Sequence, residues 1–374
     1  MNKYIRANDV SLIFGSNSVF YHSPYRYIRK SFDPLSAAIV AFCSDARTLS
    51  EILSNFTDCN HKMITDLIYH EILIKANNTN YADSSYSSIN AHRVMLSDLE
   101  RMSKYQDAIY STVKEGDVVI DAGSGTGILA ILAAKAGAKK VFAIESTKIG
   151  KYIEKLAEAN NVQNKIEAII GDFSEVITKE KADIIVSEPL GSLVFREKIF
   201  PSLYKCIANN MKPEGIVIPN SYELFIGNLS TNTKIPIFPT VGKSINVDVT
   251  PLRDLYEKEA IIYRNEVAGN IVEFKSLGKF PITYDFVKNE KCFNVKFEMP
   301  IKGLCAWFDV QLSKNVNLST SPFSNKTHWG QVFLPIEINE KEPNCNLVFT
   351  YSNQHLGLLE LKVKTDKSNY KILI

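Results

Sequence analysis

The sequence lacks the features that would place it in several special classes of protein. Its six cysteines and six histidines are scattered over 374 residues, without a CxxC pair or a local metal-binding spacing. We therefore expect free thiols in a reducing compartment, a cytoplasmic protein and no metal site. Long apolar runs are also missing, since the most apolar stretches, residues 37–43 and 127–134, fall far short of the roughly 20 residues that a membrane helix needs. We expect no membrane partner.

The charge is nearly balanced. Lysine and arginine number 43, against 41 aspartates and glutamates. A protein that binds nucleic acid by neutralising phosphates would show a larger basic excess or basic blocks, so we expect no nucleic-acid partner. The 45% apolar and 22% charged residues are those of an ordinary globular protein, and the length indicates two or three domains.

The first region, residues 1–78, combines short β-type runs with helix signals. Asp33 precedes a proline that opens an apolar helix, and Thr48 with Glu51 forms the pattern of a capping box. Residues 61–74 have apolar positions at helical spacing and predict a third helix. We interpret this region as a small winged-helix-like α+β module. It resembles domains that grip leader peptides in peptide-modifying enzymes, although a packing or dimerisation role is favoured.

The two following regions differ in hydrophobic period. Residues 81–218 alternate strand and helix patterns, which predicts a Rossmann-like parallel sheet with helices on both faces. Residues 219–374 contain many short segments of period two, which predicts a β-barrel or sandwich-like domain. The expected fold class is therefore α/β followed by β, preceded by the small N-terminal module.

A glycine-rich turn carries the signal for a cofactor. Residues 118–129 read VVIDAGSGTGIL, which predicts a strand ending at Asp121, a tight turn through Gly123 and Gly125, and a helix whose N-terminus favours a negative group. Glu145 ends the next predicted strand, where doubly wound folds bind ribose hydroxyls. The turn lacks the GxGxxG spacing for a pyrophosphate and so favours S-adenosylmethionine over a nicotinamide dinucleotide. The alternative is a turn that only packs helix against strand.

Two glutamates mark the expected chemistry. Glu188 follows the fourth predicted strand of this region, and Glu197 lies nine residues further on. Two nearby carboxylates repel unless a cation joins them, and a planar guanidinium matches carboxylates two bonds at a time. The alternative is that Glu197 only begins the next helix, where an acid suits the helix dipole.

Four motifs together resemble the protein arginine N-methyltransferase family over about three quarters of the chain. They are the run from Asp121 to Glu145, the double-glutamate loop, the segment STSPFSNKTHW at residues 319–329, and an upstream helix that carries Tyr86, His92, Met95, Asp98, Arg101 and Tyr105. Their order matches that of the family.

The resemblance implies a role for each matching residue. Glu188 and Glu197 would clamp the substrate guanidinium, Asp98 and His328 would form a dyad, and Trp329, Tyr86 and Met95 would surround the arginine. The cofactor side would comprise Arg101, paired with the methionine carboxylate, and Glu145, paired with the ribose, and the following residues: His92, Asp121, Gly123, Gly125, Asp172 and Phe173.

Some positions depart from the family pattern. Pro189 and Leu190 stand where the family usually has Trp-Met, and Ser174 stands where it commonly has a glutamate. The family usually dimerises through an arm, for which residues 230–259 are the candidate here. We expect a homodimer. The substitutions at residues 174, 189 and 190 leave open which substrate is methylated. They also leave open how many methyl groups are added and with what symmetry.

The leading hypothesis is an S-adenosylmethionine-dependent arginine N-methyltransferase. Its substrate is arginine in a protein or peptide, or free L-arginine. One alternative is a small-molecule methyltransferase of a biosynthetic pathway, although a neutral nucleophile gains nothing from two carboxylates. The other is a catalytically weak regulatory pseudoenzyme, which would have no need of the clamp, Arg101 or His328.

Overall fold

The computed structural model describes most of the chain. The described residues are 3–6, 11–14, 19–23, 28–69, 72–75, 86–188, 190–191, 193–194, 199–230, 261–263, 268–283, 292–339, 343–351, 359–365, 367 and 369–373. The chain forms two compact units: residues 1–97 with 146–153, and residues 98–145 with 154–374. Each is described separately below. The domain boundaries expected near residues 78–81 and 218–219 stay a prediction.

The first unit combines antiparallel strands with short helices. Its elements are β1 Lys3–Arg6, β2 Ser11–Phe14, β3 Val19–Ser23, β4 Ile28–Phe32, α1 Pro34–Phe42, β5 Arg47–Thr48, α2 Leu49–Asn55, α3 His61–Tyr69, β6 Leu73–Lys75 and α4 Ile89–Leu96, followed by a 3₁₀ helix at Lys148–Tyr152. One sheet has the order β5-β1-β6 and the other β2-β3-β4. Helices α1 to α3 share a buried core that includes Ile39, Ile52, Ile64 and Leu67.

Two helix starts in this unit confirm the capping signals. The Asp33 side chain accepts a hydrogen bond from the Ser36 backbone N–H at 2.9 Å. Thr48 and Glu51 form the reciprocal bonds of a capping box at the start of α2. Such caps satisfy N–H groups that have no partner within the helix.

The third helix is shorter than predicted. It ends at Tyr69 instead of continuing to residue 74. The N–H of Ile72 bonds back to the Leu67 carbonyl at 2.8 Å, and Ile74 then pairs with Ile5 of β1 as part of a strand. The apolar spacing is compatible with either structure, and the pairing with a distant strand, which local sequence does not reveal, decides between them.

The second unit begins with a parallel sheet, which confirms the Rossmann-like prediction. Its elements are α5 Leu99–Thr112, β7 Val118–Ala122, α6 Ile128–Ala136, β8 Lys140–Glu145, α7 Ile153–Ala159, β9 Ile166–Ile170, β10 Ala182–Ser187, α8 Phe200–Asn210 and β11 Met211–Ile218. The strand order is β11-β10-β7-β8-β9, with parallel neighbours throughout. The order reverses between β7 and β10, and ligands of such sheets bind at the carboxyl ends of the strands beside this point.

The remainder of the second unit is antiparallel, as predicted. Its strands are β12 Ser221–Leu229, β13 Ile261–Tyr263, β14 Ile271–Pro281, β15 Cys292–Lys296, β16 Leu304–Ser313, β17 Val316–Ser319, β18 Gln331–Leu334, β19 Asn344–Tyr351, β20 Leu359–Lys364 and β21 Asn369–Leu373. One sheet runs β13-β18-β16-β12-β14, with β17 on β16, and the other runs β15-β19-β20-β21. The candidate dimerisation arm lies outside the described residues apart from its first residue, Ser230. No helix in the described ranges is long and apolar enough to cross a membrane.

Candidate active site

The glycine turn after β7 has the backbone that its sequence predicts. Gly123, Gly125 and Gly127 have φ angles of +78°, +56° and +85°. Residues with a Cβ rarely adopt this left-handed region, which explains the three glycines. Gly127 is the N-cap of α6, so the turn leads directly into a helix N-terminus, whose N–H groups favour an anionic or polar ligand.

Asp121 supports this turn from inside the protein. It is 1% exposed, and one carboxyl oxygen accepts a hydrogen bond from the Ala130 N–H at 2.9 Å. The other oxygen, Oδ1, has no hydrogen-bond partner among the described residues. Burial, helped by the charge of Glu145 and opposed by the hydrogen bond from the Ala130 N–H, raises the pKa of Asp121 to about 7. The carboxyl therefore carries a proton over much of the acidic range.

Glu145 lies against the glycine turn. It ends β8, is buried, and accepts a hydrogen bond from the Gly125 N–H at 2.7 Å. The Phe173 ring also lies close to the turn, since a Cβ on Gly123 would be 3.8 Å from it. The exposed Asp172 accepts a bond from the Ser174 N–H at 2.8 Å. A carboxylate that suits a ribose diol and an aromatic ring that suits a base thus both lie next to one turn, and these residues fit a nucleoside.

Glu188, at the end of β10, is already paired with a guanidinium. Its Oε2 lies 2.6 Å from Nη1 of Arg101, and the two side chains are only 12% and 7% exposed. Tyr105, one turn further along α5, donates a hydrogen bond from its hydroxyl to the Ser187 carbonyl at 3.3 Å. Helix α5 therefore holds both the carboxylate and the backbone that carries it. The resemblance implied Arg101 only as a partner of the cofactor.

Asp98 connects α5 to the Thr-His-Trp loop. Its Oδ1 accepts from the Arg101 N–H at 3.0 Å, as the N-cap of α5. Its Oδ2 accepts from the His328 N–H at 2.8 Å and lies 2.9 Å from His328 Nδ1. Burial acts to raise the pKa of Asp98, but the hydrogen bonds from His328 and Arg101 outweigh it and hold this pKa below its ordinary value.

The position of Asp98 corrects one expectation. The upstream motif was expected to lie on a single helix, but α4 ends at Leu96 and α5 begins at Leu99. Asp98 interrupts the helix because its side chain caps the backbone of the second one, as Asp commonly does at this position. The break gives its carboxylate an N-cap geometry from which the second oxygen reaches the loop.

Trp329 fixes the loop that follows Glu188. Its ring is 3% exposed and packs against His328 and Phe308, with ring centroids 4.4 Å and 5.7 Å away. The indole Nε1–H donates a hydrogen bond to the Leu190 carbonyl. The resemblance made Trp329 part of the arginine pocket but did not reveal this bond.

The remaining candidates are described separately. Tyr86, His92 and Met95 belong to the first unit, where Nε2 of the buried His92 lies 2.7 Å from the Tyr86 carbonyl oxygen. Glu197, the second glutamate of the expected clamp, lies outside the described residues. No group of three or more histidine, cysteine, aspartate or glutamate side chains with metal-binding geometry occurs in the described part of the chain.

Sequence reasoning missed two contributions of α5. Tyr105 was part of the motif but had no assigned role, and its place four residues after Arg101, on the same helix face, was the signal available. Asn325, in the loop before His328, donates a hydrogen bond to Glu100 at 2.9 Å. No spacing in the sequence predicts that bond.

Comparison with known proteins agrees with this architecture. Residues 97–220 match the family model for ribosomal protein L11 methyltransferase (PrmA). Residues 232–344 match the model for the arginine methyltransferase oligomerization subdomain. Together with the glycine turn and the buried carboxylates, these matches define a Rossmann-type methyltransferase with an appended β-domain.

Whole-chain comparisons identify the family. Protein arginine N-methyltransferase PRMT10 of Oryza sativa subsp. japonica is 31% identical over 340 residues, covering 77% of this chain and 88% of the relative. Protein arginine N-methyltransferase 6 of Danio rerio is 29% identical over 276 residues, covering 68% and 78%. The crystal structure of Arabidopsis thaliana protein arginine methyltransferase 10 superposes with a TM-score of 0.67 at 26% identity, covering 78% of this chain and 99% of that one. The chain belongs to the protein arginine N-methyltransferase family.

Proposed function

We propose that this protein transfers a methyl group from S-adenosylmethionine to a guanidino nitrogen of arginine in a protein or peptide. The observation that carries the proposal is the Arg101–Glu188 pair. A carboxylate that is only 12% exposed, at the carboxyl edge of the sheet, binds a guanidinium at 2.6 Å, and a second guanidinium, from the substrate, needs the same kind of partner. The relatives named above are protein arginine methyltransferases, which supports a polypeptide substrate.

The cofactor site is assigned to the glycine turn and its neighbours. Glu145 would hold the ribose hydroxyls, Asp172 and Phe173 would contact the base, and the N-terminus of α6 would face the polar part of the ligand. Arg101 has five N–H donors, enough to pair with Glu188 and still contact a carboxylate of the ligand. When bound, the sulfonium supplies an activated methyl group.

Glu188 prepares the arginine for reaction. A guanidinium has a pKa above about 12 and is a poor nucleophile while its charge is spread over three nitrogens. A carboxylate on one side localises the charge there, which leaves more electron density on the nitrogen that reacts. We assign Glu197 as the second arm of this clamp, on the strength of the family motif alone. Alignment of the reacting nitrogen supplies much of the remaining acceleration.

We assign the Asp98–His328 pair to a positioning role. Both Asp98 oxygens accept hydrogen bonds that fix structure: one caps α5 and the other holds the backbone and the ring of His328. The pair therefore joins the helix that carries Arg101 to the loop that carries Trp329. In this assignment the substrate proton leaves through a clamp glutamate.

We further propose a homodimer in the cytoplasm. The match of residues 232–344 to an oligomerization subdomain supports self-association. A solved Trypanosoma brucei PRMT1 enzyme–prozyme complex, with TM-score 0.69 and 23% identity, is a heterotetramer. The cytoplasmic assignment rests on the scattered cysteines, none of which forms a disulfide bond within the described part of the chain.

The decisive experiment is methyl transfer from labelled S-adenosylmethionine, with an Arg-Gly-rich peptide and free L-arginine assayed in parallel. We expect label on the peptide. Label on free arginine alone would retain the chemistry but contradict the polypeptide substrate. Label on neither, with cofactor binding intact by calorimetry, would overturn the proposed activity and favour a regulatory role.

A further inference from the structure

The outer face of the β15-β19-β20-β21 sheet is polar and basic. Successive side chains of a strand point to opposite faces, and one set here is buried, including Phe293, Leu347, Leu361 and Ile372. The other set faces outward and contains four lysines: Lys296, Lys362, Lys364 and Lys371. We call this outward set the lysine face.

The lysine face is concave at its centre. A depression of about 530 Å³ is lined by Cys292, Val348, Asn346 and three of the lysines. The strand register places Cys292, Val348, Lys362 and Lys371 in one row across the sheet. The floor is therefore made of apolar atoms, including lysine methylene stems, while the ammonium groups stand at its margin.

The positive charge of this face is only partly compensated. Glu360 is the one carboxylate on it among the described residues, and lies 2.7 Å from Lys371 and 3.3 Å from Lys362. Its side chain is 6% exposed, whereas those of Lys362 and Lys371 are 56% and 50% exposed. Lys364 is exposed and has no ion-pair partner in the described part of the chain. Lys362, Lys364 and Lys371 are thus exposed and share a single described carboxylate, which leaves an excess of positive charge among these three side chains.

We propose that the lysine face docks an extended, acidic segment of a polypeptide partner. Lys362 and Lys364 are two residues apart on β20, which separates them by about 6.8 Å along the strand. In an extended peptide, carboxylates at alternate positions have the same spacing along the chain. The apolar floor suits the methylene groups and backbone of such a peptide. Tyr370 also lines the depression, and its hydroxyl donates a hydrogen bond to the Glu337 carbonyl. It is the one aromatic residue among the described lining residues, whereas single-stranded nucleic acid is bound by several rings on which successive bases stack.

The docked segment differs in charge from the substrate arginine. Glu188 attracts a guanidinium, whereas the lysine face repels one. The two sites therefore bind different segments, either of one polypeptide or of two. The proposal concerns binding alone and stands independently of the methyl-transfer activity.

The test uses the full chain and a fluorescein-labelled peptide, (Glu-Ser)₅, whose binding is followed by fluorescence anisotropy. We expect saturable binding that weakens at least tenfold in the combined variant Lys362→Gln, Lys364→Gln and Lys371→Gln. The matched control changes the exposed Lys114, Lys155 and Lys314 to glutamine, with the same loss of charge, and should bind within twofold of wild type. Glu360→Gln removes the neutralising carboxylate and should tighten binding about threefold.

A second readout locates the peptide. Cys292 is exposed, whereas the other five cysteines are buried, so iodoacetamide should alkylate Cys292 selectively. Saturating peptide should slow this alkylation at least fivefold. An unchanged rate, or equal binding by the two triple variants, would overturn the proposal. Tighter binding by a single-stranded DNA decamer than by the peptide would also overturn it and assign the face to nucleic acid.

Discussion

The two sides of the carboxyl edge of the parallel sheet are built in different ways. On the cofactor side, Asp121 bonds to a backbone group nine residues away and Glu145 to one 20 residues away. On the arginine side, Trp329 bonds to a residue 139 positions away and His328 to one 230 positions away. One side is thus specified by a short, contiguous segment, and the other by elements that span the second unit. The arginine side should therefore respond to substitutions that leave the cofactor side intact.

Among the substitutions proposed here, Glu188→Gln should show the largest difference between its effect on the arginine side and its effect on the cofactor side. The variant keeps the shape of the side chain but loses the charge that binds guanidinium, so we expect turnover to fall on the order of 10³-fold. Cofactor affinity, measured by calorimetry, should stay within a few-fold of wild type. Glu180→Gln, at an exposed carboxylate paired with Lys139, is the matched control and should retain full turnover.

Two outcomes would contradict this assignment. Turnover of Glu188→Gln within a few-fold of wild type would remove Glu188 from the clamp. Loss of cofactor binding together with turnover would show that the two sides are not separable, because the uncompensated Arg101 would then have disturbed both. Thermal unfolding of the variant distinguishes that result from general loss of the fold.

On the cofactor side, Asp121→Asn should change how stability depends on pH. The pKa of about 7 in the folded protein lies above the ordinary 3.8, so the native state binds more protons than the unfolded state between these values. Wild-type stability therefore declines as pH rises through this range, and asparagine removes that decline. The unfolding free energy of the variant relative to wild type should increase by about 3 kcal/mol from pH 4.5 to 8. The unfolding free energies are measured by urea denaturation at several pH values in this range. A constant difference between variant and wild type would contradict a buried carboxyl that carries a proton.

Trp329→Phe tests the bond that fixes the loop after Glu188. The variant leaves the Leu190 carbonyl without its donor, which should cost about 1–3 kcal/mol of stability and lower kcat/KM several-fold. The control is Trp307→Phe at the other tryptophan, which is buried in the β-domain. It should lower stability with little effect on kcat/KM. If the two substitutions lowered kcat/KM equally, the bond from Trp329 to Leu190 would have no specific role in catalysis.

The smallest effect should come from Asp98→Asn. Asparagine is as good an N-cap as aspartate, so α5 is preserved while the charge facing His328 is lost. For a positioning pair we expect about a fivefold loss of kcat with an unchanged pH profile. If the variant instead lost one limb of the plot of kcat against pH, the Asp98–His328 pair would be the acceptor of the substrate proton. Asp98→Ala removes both the N-cap of α5 and the hydrogen bonds to His328, and should lose a further ~1 kcal/mol of stability.

The same contrast explains what the sequence could predict. The glycine turn, the strand that carries Asp121 and the cap at Thr48 depend on neighbouring residues and were predicted from them, although this strand ends one residue later than predicted, at Ala122. The early end of α3 depends on pairing with β1, and the bond from Asp98 to the Thr-His-Trp loop depends on His328, 230 residues away. Periodicity carries no information on such partners. The family motif identified Asp98 and His328 as a pair, but it did not reveal that Arg101 pairs with Glu188 or that Trp329 bonds to Leu190.

The Asp98–His328 contact also has a consequence during protein synthesis. A ribosome makes the chain from its N-terminus, and the residues that frame the cofactor, up to Phe173, emerge long before His328. The nascent chain can therefore assemble its cofactor side while the arginine side still lacks the Asp98–His328 pair and Trp329. We expect ribosome-bound chains arrested before residue 328 to bind cofactor but to transfer methyl groups more slowly than the 374-residue protein. Methylation would then reach its full rate only once nearly the whole protein has been made.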